Sequence, residues 1–176
     1  MVTIYKNIYE TSNPFYRDCG LILNRIKEGA SKNLIQKIRL QTDKKTRDKM
    51  KKRLPAICFS GTFNKRNDKS IIDHSGLICL DFDNYKTEED LLNAKKFFSK
   101  DKYVYSVFIS PSKHGLKVLV KIPTDIDNHI KTFNSLKGYF KSEFFDITCK
   151  NISRVCYESF DSNIYINKSS AIFNIK

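Results

Sequence analysis

The stretch from Gly76 to Asp83 constrains the fold of this chain more than any other. Its residues alternate. As a β-strand it points Leu77, Cys79, Asp81 and Asp83 one way and Ile78, Leu80 and Phe82 the other. Two carboxylates therefore lie one pleat apart on a single face. Left unpaired they repel, so the pattern calls for a divalent cation or a cationic partner. Oxygen ligands suit a hard ion such as Mg²⁺ or Mn²⁺, whose octahedron substrate phosphates can complete.

Other segments read as companions to this strand. Val2 to Ile8 forms a first strand that Asn13-Pro14 breaks, and Ala56 to Ser60 a short buried one that ends at Gly61. Tyr103 to Ser110 and Leu116 to Pro123 form a hairpin that turns through Pro111-Ser112-Lys113-His114-Gly115. In its second strand Leu116, Val118, Val120 and Ile122 face inward, with Lys117, Leu119 and Lys121 on the other side. Ser153 to Glu158 and Asn163 to Ile166 close the chain as strands.

Helical spacing appears in three places. Leu21, Ile22, Ile26, Leu34, Ile35 and Ile38 belong to a basic helical region that must finish before Pro55. Thr87-Glu88-Glu89-Asp90 is a helix N-terminus signature ahead of a Leu91, Ala94, Phe98 stripe. Ile130, Phe133, Leu136, Phe140 and Phe144 predict a long helix. With 176 residues, 40% of them hydrophobic, the chain can fill one core. Neither a repeat nor a linker interrupts it, so residues 1–176 are expected to form a single α+β domain.

No apolar run is long enough to cross a membrane, and the alternating N-terminus is not a signal segment, so a cytoplasmic protein with no membrane partner is expected. Cys19, Cys58, Cys79, Cys149 and Cys156 match no zinc or redox spacing, so they read as reduced thiols and no zinc site is expected. Cys58 and Cys79 lie in apolar runs and behave as small core residues.

The formal charge is +13 and unevenly placed: between Lys32 and Arg53 ten Lys or Arg face only Asp43 and Asp48. Such a run is either a solvated helix face or a contact with a phosphate backbone, with Lys44, Lys45, Arg47, Lys51, Lys52 and Arg53 as its candidates.

Three groups of residues could carry chemistry. Asp81 and Asp83 form the first. The second is Ser112, Lys113, His114 and Gly115 with Lys117 beyond, either a polyphosphate cradle or an ordinary exposed turn. The third is Asp146 with Ser153 and Arg154, where a further carboxylate would let two cations be bridged and an arginine fork matches phosphate oxygens. Asp146 could equally be a surface acid after the helix, and Asp161 is its rival. His74 and His129 read as structural or exposed.

An Asp-x-Asp strand, then Ser-x-His on a hairpin, then a lone aspartate resembles the three-motif signature of the archaeo-eukaryotic primase superfamily of primase-polymerases. From about Leu54 to Asn167 the order of motifs resembles the VirE N-terminal-like group more narrowly: Ser60-Gly61-Thr62-Phe63, then His74 to Asp83, then Ser110 to Lys117, then Asp146 to Arg154. The resemblance implies an N-terminal α+β unit and an RRM-like sheet flanking a catalytic cleft. It implies that Asp81, Asp83 and Asp146 bind two Mg²⁺ or Mn²⁺ ions, and that Ser112 and His114 hold the triphosphate of an NTP or dNTP. Lys117 and Arg154 would also lie on phosphates.

The activity implied is template-directed nucleotidyl transfer, a DNA primase-polymerase that makes or extends primers in replication or repair. Its template would be single-stranded DNA, tracked by the basic run, and a replicative helicase partner would be another chain. Phe59, Phe63 and Tyr85 are either base-stacking or core residues. Two rivals remain, a metal-dependent nuclease using the same carboxylates and a non-catalytic nucleic-acid-binding module.

Overall fold

A computed structural model describes residues 1–175. In chain order the first half contains β1 (Val2–Tyr5), β2 (Phe15–Arg17), α1 (Cys19–Glu28), α2 (Lys32–Leu40), α3 (Lys44–Lys51), β3 (Ala56–Cys58), β4 (Gly61–Phe63) and β5 (Ile71–His74). The second half contains β6 (Leu77–Asp83), α4 (Glu88–Phe98), β7 (Val104–Ile109), β8 (Gly115–Lys121), α5 (His129–Phe140), β9 (Cys156–Tyr157) and β10 (Tyr165–Ile166). The fold is α+β, with antiparallel sheets ordered β2-β1-β3-β9 and β10-β7-β8-β6 and a small β4-β5 hairpin.

Alternation along the strands sorts side chains into layers. Ile78, Leu80 and Phe82 of β6 join Leu116, Val118 and Val120 of β8, and α4 and α5 cover this face with Leu91, Phe98, Phe133 and Leu136. The opposite face, with Cys79, Phe108 and Leu119, meets Val2 and Ile57 of the other sheet and Ile22, Leu23 and Ile26 of α1. Neither face of the β6-β8 sheet is left to water. Asp81 and Asp83 thus lie on the face turned toward the second core, at the end of β6 where apolar neighbours run out.

Local chemistry sets the helix ends. Thr87 caps α4 by accepting from the Asp90 amide, and Asp43 caps α3 by accepting from the Thr46 amide. Gly29, at φ 82°, ends α1, so the basic region is three helices. Several expectations are corrected. The first strand stops at Tyr5, short of Ile8. Gly61 opens β4 instead of closing β3, because the Asp73 carbonyl of β5 passes where a side chain would stand. Phe144 lies beyond α5, which ends at Phe140 before left-handed Lys141, and Ile130 is exposed. The closing strands shrink to two residues each.

Candidate functional site

Two pairings assemble the site. In the first, β8 lies beside β6 with Lys117 opposite Asp81 and Gly115 opposite Asp83. Lys117 Nζ sits 2.5 Å from Asp81 Oδ2, and both side chains are buried. A side chain at Gly115 would collide with Asp83 Oδ1, so glycine is what leaves room for that carboxylate. In the second, the segment after α5 attaches to the outer edge of β6: the Asp83 amide donates to Phe144 O at 2.8 Å and the Asp146 amide to Asp81 O at 2.9 Å. The Phe145 ring packs edge-on to Phe82 and Phe133, which anchors this strip.

Asp146 is thereby carried to Asp81. Its Oδ1 accepts from the Thr148 amide at 2.9 Å and the Thr148 hydroxyl at 2.8 Å. Cys149 Sγ reaches Asp146 Oδ2 at 3.0 Å and Asp81 Oδ2 at 3.3 Å. One ligand atom from each of Asp81, Asp146 and Cys149 lies within 4.8 Å of the others. The Arg154 guanidinium stands 3.8 Å from Asp146 Oδ2.

The electrostatics divide the acids. Burial raises the Asp83 pKa, and Asp81 and Asp146 push it further up against the pull of Lys117. At Asp146 burial also opposes ionisation, but the Cys149 thiol and Thr148 outweigh it and hold the carboxyl below its ordinary value. Burial opposes the charge of Lys117 too, yet Asp81 holds its ammonium well above the usual lysine range. Burial and Asp81 drive the Cys149 thiol upward, so it remains a protonated donor. The donors offered are carboxylate oxygens, which fit a hard divalent cation rather than a thiolate-bound metal.

A cleft of about 770 Å³ opens beside these acids. Asp83 and Asp146 line it together with Ser112 and His114 of the hairpin loop and Lys44, Arg47 and Lys51 of α3. Tyr85 stacks on Phe144 at 4.4 Å to form its apolar wall. Lys113 adopts φ 64° and extends to Glu88 at 2.7 Å.

The other predicted residues lie elsewhere. Lys117 is spent on Asp81 inside the sheet, not among the residues lining the cleft. Lys45 and Lys52 are exposed outside the cleft, while Arg53 borders a separate cavity beside Lys6 and Lys32. Phe59 and Phe63 are core residues. Asp161 is bound to Lys95 at 2.6 Å and to the Ile109 amide at 2.9 Å, a structural role. Ser153 donates to Asp68. His74 and His129 face each other at 3.2 Å. Sequence reading missed Cys149; Asp146-x-x-Cys149 in a polar loop was its only signal, and this matches no metal spacing.

A family model described as the BT4734-like, N-terminal domain matches residues 49–166. The chain belongs to this family. The matched span runs from the end of α3 to β10 and so contains Asp81, Asp83, Ser112, His114, Lys117, Asp146 and Arg154. It leaves out β1, β2, α1 and α2. No curated protein and no solved structure matches the chain. Among the described residues no helix is long and apolar enough to cross a membrane.

Proposed function

We propose that this BT4734-like domain is a metal-dependent, template-directed nucleotidyltransferase, a DNA primase-polymerase of the archaeo-eukaryotic primase superfamily close to the VirE N-terminal-like group. One observation carries the reading: Asp83 and Asp146, the Ser112 and His114 loop and three cations of α3 open on a single cleft. The succession β6-α4-β7-β8-α5-β10, with β8 between β6 and β7, supports the RRM-like half of that architecture, although β10 joins the β7 edge rather than β6; the β2-β1-β3-β9 sheet with its helices supports the N-terminal half.

Asp81, Asp83 and Asp146 would hold Mg²⁺ or Mn²⁺. A site loaded in this way would supply charge neutralisation for an attacking 3′-oxygen and a departing pyrophosphate. The chain's own residues do the rest. Ser112 and His114 donate hydrogen bonds to the phosphates of an incoming NTP or dNTP and fix its position. Lys44, Arg47 and Lys51 carry the backbone of a single-stranded DNA template, while base pairing selects the nucleotide. Lys117 pairs with Asp81 from within the sheet and fixes its orientation.

A second reading, a nucleic-acid-binding module without turnover, draws on the same Lys117: a buried ammonium already neutralises one carboxylate oxygen. Incubation with primed and unprimed single-stranded DNA, labelled nucleotides and Mn²⁺ or Mg²⁺ separates the two. Lengthened products from the native chain and none from Asp81→Ala/Asp83→Ala are expected. Shortened DNA would mean a nuclease, and DNA binding without turnover in either metal would mean the module.

A further inference from the structure

A second cavity, of about 840 Å³, is lined in part by residues that follow the segment carrying Asp146. Residues 151–157 wall it from one side and the loop between β4 and β5 from the other. Three cations border it, Arg66, Lys69 and Arg154, against a single carboxylate, Asp68. That carboxylate is already committed: Oδ1 accepts from the Ser153 amide at 3.0 Å and the Ser153 hydroxyl at 2.5 Å, with Asn151 Nδ2 at 3.5 Å. The cations are less fully used. Arg66 gives one terminal nitrogen to Ile8 O at 2.7 Å, and its buried Nε has no partner. Lys69 forms no ion pair among the described residues and is exposed. The Tyr157 ring, half-buried, supplies an aromatic wall beside Val155.

Three cations and an aromatic face around one cavity suit a chain of phosphates bearing bases. The cations neutralise the backbone, and the ring offers a stacking surface indifferent to base identity. Arg154 links this cavity to the acids, since it borders the cavity and also stands 3.8 Å from Asp146. We propose that the Arg66, Lys69, Arg154 and Tyr157 cavity is a subsite for a single nucleic-acid strand, holding phosphodiester backbone next to the carboxylate cluster. The proposal rests on the nucleotidyl-transfer reading for the strand's purpose, and on the cavity alone for its binding.

The test measures anisotropy of a fluorescent single-stranded DNA of about 12 nucleotides across a salt series, a length within the site sizes of small strand-binding domains. Lys69→Gln/Arg154→Gln should weaken binding roughly tenfold at low salt and flatten the plot of log affinity against log salt by about 1.4, near 0.7 for each cation withdrawn. Tyr157→Leu should weaken binding roughly fivefold or more with the slope unchanged, the mark of lost stacking. Lys69→Glu alone, at an exposed position, serves where the double variant fails to fold. Lys100→Gln/Lys102→Gln, two exposed lysines that border none of the cavities described, should shift neither affinity nor slope comparably.

Unchanged affinity and slope in the cavity variants would overturn the subsite, as would failure of the native chain to bind the strand. Weakened binding of free nucleotide with strand affinity intact would also overturn it, assigning the cavity to mononucleotides. The same preparations are assayed for synthesis with Mn²⁺. Loss of strand affinity in the cavity variants beside no synthesis by the native chain would uphold the subsite and remove the transferase reading. Synthesis by cavity variants with native strand affinity would do the reverse.

Discussion

Lys117 and Asp81 form a buried pair whose two members cannot be lost separately at equal cost. Removing the ammonium leaves buried Asp81 without its paired cation, and breaking one side of a buried pair costs about 3–5 kcal/mol. Lys117→Met should therefore lower the urea midpoint sharply. Lys117→Met/Asp81→Asn should recover much of the loss, because no unpaired charge remains; equal loss in both variants would show that packing, not charge, is at stake. His129 is another buried titratable group. Burial and the neighbouring His74 lower its pKa from 6.5 to about 4, against a small upward pull from Asp68. A depressed histidine contributes stability fully above 6.5, and loses it as pH falls toward about 4 because the unfolded chain takes up the proton first. The decline is on the order of 3 kcal/mol and should flatten in His129→Gln when denaturation is followed across that interval. His114 is exposed, and in the proposed reaction it only holds phosphate. His114→Ala should raise the nucleotide KM about tenfold while leaving the melting temperature in place, as loss of one charge-assisted hydrogen bond would.

The elements differ in how openly the sequence displays them. The alternation of β6 and the Thr87 cap of α4 are local, and each is read from a few neighbouring residues. The β4-β5 hairpin hides because its strands are three and four residues long and begin on Gly61, a residue that ordinarily punctuates. The meeting of Asp146 with Asp81 hides for another reason: it depends on an edge pairing between residues far apart in sequence, which no periodicity records. The same holds for Lys117, visible as an outward residue of β8 but buried because a second core covers that face. Two element-scale outcomes follow. Phe145→Ala empties the space against Phe82 and Phe133, costs about 3 kcal/mol or more, and should also weaken Mn²⁺ binding by releasing Asp146; calorimetry reads both. Asp43→Ala removes the cap of α3, costs about 1 kcal/mol, and should speed amide exchange across Lys44 to Lys51 without moving β6.

At the scale of the molecule, two sheets share one core through Leu119, Phe108, Ile57 and Val2, so neither can lose its packing alone. Leu119→Ala should cost about 2–5 kcal/mol and leave a single transition in which near- and far-ultraviolet dichroism coincide; separate transitions would mean the sheets unfold independently. The strip from Phe144 to Asp146 sits outside that shared core, attached to β6 by two backbone hydrogen bonds and one ring. Its peptide groups are therefore a clock. Each time the Asp83 and Asp146 amides come free the third acid is adrift, so their exchange lifetimes count how much of the time the chain possesses a complete set of carboxylates.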